Sequence, residues 1–496
     1  VYLITVSIIC SCAPKKQREV VLYETYCASC HLAPDIQSLP KTIWEEYVLP
    51  DMAARMGIIS AKNHPYHTLS FPEQFAVVKA GVYPSRPIID VNHWELLKKY
   101  IIELAPDSLA VDKSTIQSSS LTQFSLHPMR LNSATGSTYT FLQVNPFTNL
   151  IFTGTRSGEL AVFDPVSQKN KVLGNFNSAI SNARVVEDSL FVTTMGKLDP
   201  SEIASGRTVM KSGNTTAVYR DSLHRPVHTL YIDLDKNGTE EMVICEYGDL
   251  QGALTLMEKD GYGFYSAKTL LDVPGALRVV PRDMNTDGKE DLVVLAAQGD
   301  ESMYILYQEE NLTFRVEKIL RFSPVYGSSW FELIDYDGDG FEDIITVNGD
   351  NADESYVQKP YHGMRIHLND GNNHFKETYF HPLNGATRLI AKDFDQDGDL
   401  DMALLATFPD YELHPEYNFV YLENLNSTAY TFKQQHLADT KMARWFLMDA
   451  ADIDGDGDDD IVLSALNYSF TPVPEAFEKA WSESKTDLLI LTNTLH

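Results

Sequence analysis

Residues 335–343 read Asp335-Tyr336-Asp337-Gly338-Asp339-Gly340-Phe341-Glu342-Asp343, and this stretch decides the fold of the chain. Acidic side chains stand at positions 1, 3, 5 and 9, glycine stands at position 6, and position 7 can offer its backbone carbonyl. A hard cation with six to eight oxygen ligands requires this arrangement, and calcium is the expected ion. The sequence therefore predicts a calcium loop here.

The same nine-residue pattern occurs five times, with starts at 233, 283, 335, 393 and 452, which lie 50, 52, 58 and 59 residues apart. Eighteen carboxylates occupy positions 1, 3, 5 and 9, and five calcium ions would neutralise ten of those charges. The first two loops carry Asn237 and Asn285 in place of an acid, so we expect them to bind more weakly. The predicted ligands at positions 1, 3, 5, 7 and 9 are Asp233, Asp235, Asn237, Thr239, Glu241; Asp283, Asn285, Asp287, Lys289, Asp291; Asp335, Asp337, Asp339, Phe341, Asp343; Asp393, Asp395, Asp397, Asp399, Asp401; and Asp452, Asp454, Asp456, Asp458, Asp460.

An EF-hand is the main alternative for these loops, but it needs flanking helices and a glutamate at position 12. Position 12 is occupied here by Ile244, Val294, Thr346, Leu404 and Leu463, and short apolar runs typical of strands follow each loop. A catalytic metal is the other alternative, and this coordination leaves little room for a substrate. The predicted calcium ions are therefore structural.

The motif and its period resemble the FG-GAP/VCBS repeats of integrin-type β-propellers, in which each blade carries one calcium loop. The resemblance implies an all-β propeller over residues 123–496. About 370 residues at a period near 53 correspond to seven blades. Two blades without the loop are therefore expected upstream, around 137–180 and 181–225.

The chain ends in a strand-like segment, 487–494, that matches the third strand of the other blades, so the last blade lacks its outer strand. Residues 124–131, Phe-Ser-Leu-His-Pro-Met-Arg-Leu, resemble the outer-strand segment 375–383, including its His-Pro pair. An unpaired strand edge promotes association between molecules. We therefore expect 124–131 to pair with 487–494 and to close the ring.

A second motif, Cys27-Ala28-Ser29-Cys30-His31, has the spacing of covalent c-type haem attachment, with Cys27 and Cys30 as thioether ligands and His31 as an iron ligand. A redox Cys-x-x-Cys and half of a zinc site are the alternatives, and the βαβ pattern or further paired ligands that they require are missing from the sequence. Helical periodicity at 92–104 and a helical lead into the motif resemble a small class I cytochrome c over residues 17–105. The resemblance implies one covalent haem c.

The sixth iron ligand is expected to be Met52, with Met56 as the alternative, because no other methionine follows the motif within this segment. The segment 39–52 resembles cytochrome modules of Bacteroidetes-type lipoproteins, in which a methionine two residues after the proline recurs. His64, His67 and His93 remain open as ligands.

The first twelve residues resemble a lipoprotein signal peptide, with Cys12 as the lipidated residue. This predicts a lipid-anchored protein of the bacterial cell envelope, at the outer membrane and facing the periplasm. A net charge of −29 argues against a nucleic-acid partner. Residues 106–122, rich in serine and without apolar periodicity, are expected to be a linker, and Cys245 in an apolar run is expected to be a buried free thiol.

These features predict a membrane-anchored c-type cytochrome that transfers electrons with a docked protein partner. The alternative is a non-enzymatic binding or assembly subunit of an outer-membrane complex in which the haem is ancillary. A propeller-borne enzyme has the least support, because no catalytic constellation is legible in the sequence. The insertion at 348–365 is interpreted either as a docking surface or as a decorated loop with a surface histidine.

Overall fold

The computed structural model describes residues 18–61, 63–110, 117–131, 136–259, 265–351, 356–468 and 470–495. Helices occupy the part before residue 105, and strands dominate from residue 118 onward. Cys12 and the signal segment lie outside the described residues.

The helical domain contains helices α1 (Arg18–Tyr26), α2 (Lys41–Ile43), α3 (Leu49–Arg55), α4 (Phe71–Ala80) and α5 (Val91–Leu104). Helix α1 packs against α5, which buries Trp94, Leu97 and Ile101 on one face. Asp90 caps α5 by accepting the backbone amides of residues 92 and 93. The helical content at both ends of the domain agrees with the prediction, while its identity as a cytochrome module stays a prediction.

Helices α2 and α3 are joined by a π-helical turn, Trp44–Val48. Pro50 lies at the start of α3 and lacks a backbone N–H. A proline inside continuous α-helix also clashes with the carbonyl four residues earlier, and the wider turn relieves that clash. The result is an uninterrupted helical path that carries Met52.

Seven sheets follow in the described part of the chain, each with four antiparallel strands and one of them with a fifth, and together they form a seven-bladed β-propeller, as predicted. Five of them contain an acidic loop between their first two strands, and the two upstream sheets do not, also as predicted. Ordered from the inner to the outer strand, the blades are: blade 1, β3 (Tyr139–Val144), β4 (Ile151–Thr155), β5 (Glu159–Asp164), β6 (Lys169–Asn175); blade 2, β7 (Ile180–Val186), β8 (Ser189–Thr194), β9 (Gly206–Ser212), β10 (Thr215–Leu223); blade 3, β11 (Pro226–Ile232), β12 (Glu241–Glu246), β13 (Ala253–Lys259), β14 (Tyr265–Leu271); blade 4, β15 (Ala276–Arg282), β16 (Asp291–Ala296), β17 (Ser302–Gln308), β18 (Phe314–Arg321); blade 5, β19 (Ser328–Ile334), β20 (Asp343–Asn348), β21 (Gly363–Asn369), β22 (Phe375–Pro382); blade 6, β23 (Ala386–Lys392), β24 (Asp401–Ala406), β25 (Phe419–Asn426), β26 (Thr431–His436); and blade 7, β27 (Trp445–Ala451), β28 (Asp460–Ala465), β29 (Leu488–Asn493), β2 (Phe124–Met129).

The ring closes where blade 7 takes its outer strand from the beginning of the propeller. Strand β2 pairs antiparallel with β29, in a register that runs from Phe124 opposite Asn493 to Met129 opposite Leu488. The predicted closure is therefore confirmed. The inner strands β3, β7, β11, β15, β19, β23 and β27 each contact the next around the ring.

The expected linker is wrong in its last residues. Strand β1 (Ser118–Ser120) pairs in parallel with β26 and adds a fifth strand to blade 6. The hydroxyl of Ser118 lies 2.7 Å from His436 Nδ1. A run of serines has no apolar pattern that would predict a strand. This strand forms because the edge of β26 offers its backbone groups for pairing.

The connections within each blade define two faces of the propeller. The acidic loops L1 (233–241), L2 (283–291), L3 (335–343), L4 (393–401) and L5 (452–460) join first to second strands and therefore share one face, the loop face. Connections from second to third strands emerge on the opposite face, which we call the helical face. Between them, the second strands of blades 3 to 7 are buried along their whole length, with all six residues of each strand buried.

The helical domain rests on the helical face. Lys197, between β8 and β9, contacts Glu73 of α4 at 2.6 Å, and the Tyr361 hydroxyl donates to Ser38 O at 2.8 Å. Val325 and Val357 pack against the helical core. Blades 2 and 5 therefore both hold the domain, on the side opposite the acidic loops.

The insertion at 348–365 contributes two of these contacts. His362 in it is only 1% exposed, so the surface-histidine interpretation is wrong. Lys359 is equally buried, and its ammonium group donates to Asn351 Oδ1 at 2.8 Å. Within the described residues of the insertion, 348–351 and 356–365, Val357 and Tyr361 contact the helical domain of the same chain.

Candidate metal loops and haem motif

The five acidic loops share one hydrogen-bonding scheme. In L3, Asp335 at position 1 accepts the backbone amide of Gly340 at 2.9 Å, and Asp339 at position 5 accepts that of Phe341 at 2.9 Å. The equivalent pairs occur in the other four loops. These bonds bend the chain around the side chains of positions 1 and 5, so the carboxylates converge on the inside of the turn.

The backbone of each loop is left-handed at two positions. Position 6 is glycine in all five loops, with φ between 84° and 99°. Position 4 is also left-handed, but three loops place a non-glycine residue there: Lys236, Thr286 and Gln396, with φ near 60°. The glycine at position 6 was predicted for the sharp turn, whereas position 4, which is glycine only in L3 and L5, was not singled out from the sequence.

The acid at position 9 anchors each loop to its blade. Its side chain is at most 2% exposed in every loop and accepts the backbone amide of position 2 at 2.9 to 3.2 Å. In L2 to L5 the other oxygen accepts a backbone amide near the end of the third strand. These acids therefore fix the loop to the sheet and still keep lone pairs for a cation.

Four of the five loops gather three carboxylates, each placing an oxygen within 4.8 Å of the others. The groups are Asp233, Asp235 and Glu241 in L1; Asp335, Asp337 and Asp339 in L3; Asp393, Asp395 and Asp397 in L4; and Asp452, Asp454 and Asp460 in L5. L2, where Asn285 replaces an acid, is not among the clusters formed by the described residues. L1 and L2 carry the same number of acids, but the asparagine of L2 stands at position 3, whose acid belongs to each of the four clusters.

Asp458 in L5 gives the clearest indication of a missing positive charge. Its side chain is 2% exposed, and neither carboxylate oxygen has a hydrogen-bond partner of normal geometry; the Leu495 amide and the Asp456 carboxyl group lie nearby. Burial raises the pKa of Asp458, and the neighbouring Asp456 raises it further. In L4, the same position holds Asp399, whose Oδ1 is likewise buried without a partner. The sequence predicted only the backbone carbonyl of position 7 as a ligand.

The crowding of acids is visible in the pKa values across the loops. Burial, followed by the neighbouring carboxylates, raises the pKa of Asp399 to about 6. Burial is also the main cause that raises the pKa of Asp343 and Asp460 to about 6 and that of Asp401 to about 7. A bound cation would remove this penalty. The residues present therefore fit an oxygen-ligated divalent ion.

The Cys27–His31 segment, predicted to attach haem, begins directly where α1 ends. Cys27, Cys30 and Cys245 are free thiols; Cys245 is fully buried, as predicted, and Cys30 is exposed. Cys27 packs against the edge of the helical core, and burial raises its pKa to about 12. His31 Nδ1 lies 2.7 Å from Leu32 O, and because a carbonyl can only accept, Nδ1 carries the proton. His31 Nε2 is then the nitrogen with a free lone pair, as an iron ligand requires.

The candidate sixth ligands differ in their surroundings. Met52, on α3, lies half-buried at the edge of the core that also contacts Cys27, whereas Met56 is a core residue with 8% exposure. His93 Nε2 is 2.6 Å from the Arg18 guanidinium, at the end of α1 remote from the motif. His64 and His67 stack on one another with ring centroids 4.0 Å apart. The choice of Met52 as a ligand stays a prediction.

One protein-family model agrees with the repeats of the propeller. A family model described as an FG-GAP-like repeat matches residues 283–346, which include L2 and L3. No curated protein matches the chain. Among solved structures, the N-terminal domain of Nup159 is 12% identical, with a TM-score of 0.41, over 76% of this chain and 97% of that one.

Two further structures align similarly. A chain of the S. cerevisiae Dbp5 complex with Nup159 and Gle1 is 12% identical, with a TM-score of 0.41, over 77% of this chain and 99% of that one. The Neurospora crassa Pan2 WD40 domain is 9% identical, with a TM-score of 0.42, over 76% and 97%. Within the described part of the chain, no helix has the length and apolarity needed to cross a membrane.

Proposed function

We propose that the chain is a c-type cytochrome that exchanges electrons with a protein partner and carries its haem domain on a calcium-stabilised propeller. The observation that carries this proposal is the arrangement around His31. Its Nδ1–H is held by Leu32 O, its Nε2 is free, and the free thiols of Cys27 and Cys30 precede it on the turn after α1.

In this proposal Cys27 and Cys30 would attach the haem, and His31 with Met52 would ligate its iron. The group would supply a reversible one-electron iron couple. The chain's own contribution is positional. Helix α1 holds the two thiols, the Leu32 carbonyl orients the His31 ring, and the helix that contains Pro50 brings Met52 to the same core edge as Cys27.

The haem proposal is tested by a denaturing gel stained for covalent haem, run on the full chain and on Cys27→Ala with Cys30→Ala. The stain should disappear in the double variant, and its persistence there would refute covalent attachment at this motif. Met52→Ala should remove the methionine-to-iron absorbance in the red, while Met56→Ala should retain it. Loss in Met56→Ala alone would transfer the ligand role to Met56.

We also propose that the five loops bind calcium, with Asp458 and Asp399 adding side-chain oxygens at position 7. Calcium that binds the folded chain but not the unfolded chain stabilises the folded state by mass action. Chelation should therefore lower the melting temperature, and elemental analysis should find about five calcium ions per chain. Fewer than three ions, or an unchanged melting temperature, contradicts the proposal.

An exposed apolar face on α4 supports the partner in this proposal. Phe71, Phe75 and Val78 share one side of the helix and are 81%, 67% and 59% exposed. Glu73 points to Lys197 of the propeller, so this face is turned away from the propeller. Phe71→Ser with Phe75→Ser should lower the yield of co-purified partner from native membranes without changing haem content. Phe147→Ser is the control, because Phe147 is 94% exposed on the loop face.

A non-enzymatic binding or assembly subunit is the second candidate, favoured by the closed seven-bladed ring with FG-GAP-like repeats. The two functions separate in a purification from native membranes followed by an absorbance spectrum. A haem that is reduced and reoxidised by the co-purified partner supports electron transfer. A stable complex whose haem does not change redox state supports the binding role.

Anchoring through Cys12, in a bacterial envelope and facing the periplasm, is a further part of the proposal. It rests on the sequence of the first twelve residues. Cys12→Ser should shift the protein from the membrane to the soluble fraction and abolish labelling with radioactive palmitate. Unchanged labelling contradicts lipidation at this residue.

A further inference from the structure

Neighbouring acidic loops are connected by side chains that cross from one loop to the next. Lys236, at position 4 of L1, donates to Gly288 O in L2 at 2.7 Å. Gln396, at position 4 of L4, donates to Gly457 O in L5 at 3.0 Å. Both acceptors are the position 6 carbonyls, one peptide before the predicted carbonyl ligand of position 7. Each donor therefore holds the segment that a calcium ion must also hold.

A second, buried bridge joins the same two pairs of loops. The backbone amide of Gln308 donates to Asp291 of L2 at 2.8 Å, and its side-chain amide donates to Leu234 O of L1 at 2.9 Å. Asn493 does the same between L5 and L4, with bonds to Asp460 at 2.8 Å and to Phe394 O at 2.7 Å. Both bridging residues are at most 6% exposed. One residue thus fixes position 9 of one loop through its backbone amide and position 2 of the neighbouring loop through its side chain.

The junction between L3 and L4 is built differently. Asn424, the residue equivalent to Asn493, donates its side-chain amide to Leu400 O in its own blade at 3.1 Å. Gly338 occupies position 4 of L3 and has no side chain to cross the gap. L3 approaches blade 6 through the Tyr336 hydroxyl, which lies 3.4 Å from Ser427 O, outside L4.

We propose that calcium binding at L4 is linked to binding at L5, and binding at L1 to binding at L2, while L3 fills independently of L4. L3 is joined instead toward L2, where Asn373 of blade 5 donates to Met284 O at 2.8 Å. This inference rests on the proposed calcium binding and adds a regulation of it. When one loop of a pair is filled, its position 6 carbonyl and position 9 acid are fixed, which orders the neighbour before its own ion binds. Linkage requires the effect to be equal in both directions. The chain then responds to calcium over a narrower concentration range than five separate loops would.

The experiment is hydrogen exchange of the full chain during a calcium titration, read by mass spectrometry on peptides that cover L3, L4 and L5. L5 is disabled by Asp454→Asn with Asp456→Asn. The calcium concentration that half-protects L4 should rise about two- to tenfold, the effect of one or two net hydrogen bonds. The calcium concentration that half-protects L3 should not change. If this concentration is unchanged for L4, or if it rises equally for L3, the linkage between L4 and L5 is refuted.

A second variant leaves every predicted ligand intact, in case the first one fails to fold. Gln396→Gly removes the bond across to L5, and Thr286→Gly is its matched control. Both residues sit at position 4 with φ near 60°, but Thr286 bonds to the adjacent Asn285 O. Gln396→Gly should raise the calcium concentrations that half-protect L4 and L5. Thr286→Gly should leave the corresponding concentrations for L1 and L2 unraised. Equal effects of both variants would refute the linkage through position 4.

The outcomes also separate this inference from the proposed function. If no loop of the unaltered chain gains protection from hydrogen exchange when calcium is added, both the calcium binding and the pairing are refuted. If all the loops gain protection but L4 ignores the state of L5, calcium binding stands and only the pairing is refuted.

Discussion

Asp458 shows how one residue can indicate a ligand. A buried carboxylate without hydrogen-bond partners costs several kcal/mol unless a cation compensates its charge. The side chain of Asp458 is 2% exposed and lies near Asp454 and Asp456, so its neighbours increase the cost. The sequence identified position 7 as a ligand but not its side chain. That burial depends on chain-terminal residues near 495, which no local pattern connects to the loop.

The first prediction is that Asp458→Asn changes stability in opposite directions with and without calcium. In chelator, the variant should be more stable than the unaltered chain by about 1 kcal/mol, because a buried charge and its repulsion by Asp456 are removed. In saturating calcium it should be less stable by a similar amount, because a charged ligand is lost. Urea unfolding under both conditions measures the difference. The same sign in both conditions contradicts a cation at Asp458.

The second prediction concerns Glu301, which lies far from the loops. Glu301 is 4% exposed and accepts the Ser328 backbone amide at 2.9 Å. Burial is the main cause that raises its pKa to about 7. Between the unfolded pKa near 4.5 and the folded value the native state holds the extra proton, so stability falls as pH rises through this window.

Glu301→Gln keeps an acceptor for Ser328 and removes the titration. The unaltered chain should lose about 3 kcal/mol relative to this variant between pH 4.5 and pH 7.5, since one pKa unit corresponds to about 1.4 kcal/mol. Parallel urea unfolding of the two proteins across this range measures the difference. A constant difference would show that Glu301 does not titrate in this window.

At the scale of the element, each loop depends on two left-handed residues. The repeated pattern pointed to glycine at position 6, because glycine adopts the left-handed conformation without strain. It could not point to position 4, where Lys236, Thr286 and Gln396 adopt the same region. The geometry there is set by the hydrogen bonds of the loop, which override the preference of the residue.

The third prediction tests this backbone account with a matched pair. Thr286→Gly should stabilise the chain by up to about 1 kcal/mol, because a β-branched residue is strained at φ 60°. Gly340→Ala should destabilise it by about 1 kcal/mol. A Cβ on Gly340 would meet no atom within 4 Å, so this cost is conformational alone. Thermal unfolding measures both variants, and two shifts of the same sign would contradict the account.

At the scale of the whole molecule, the repeat was sufficient to predict seven blades and the closing strand. A period near 53 residues, a loop in five copies and the likeness between 124–131 and 375–383 are all internal to the sequence. The position of the helical domain on the propeller was not predictable from the sequence. It depends on Lys197, Tyr361 and Val325, which lie in three separate connections between strands. Such contacts between distant segments leave no periodic trace.

The buried insertion and the serine strand β1 were missed for the same reason. Their polar residues are typical of loops, and only their packing partners make them structural. His362 has 1% exposure beneath the helical domain, and Ser118–Ser120 pair with an existing edge. The five acidic loops were predictable because their residues recur at fixed spacing along the chain, and the haem proposal for Cys27–His31 rests on fixed spacing as well.

The fourth prediction concerns the closure of the ring, which joins the beginning of the propeller to its end. Phe124 in β2 is 5% exposed and packs edge to face against Phe394 and Tyr421 of blade 6, with ring centroids 6.0 and 5.4 Å away. Phe124→Ala should therefore cost about 3 to 5 kcal/mol, the range for a large aromatic residue removed from a core. It should also release β2 and expose the edge of β29 to other molecules. Phe147→Ala is the matched control, and because Phe147 is 94% exposed its effect should stay within about 0.5 kcal/mol. Urea unfolding and light scattering measure stability and association together. If Phe124→Ala matches Phe147→Ala in both readouts, β2 does not hold the ring closed.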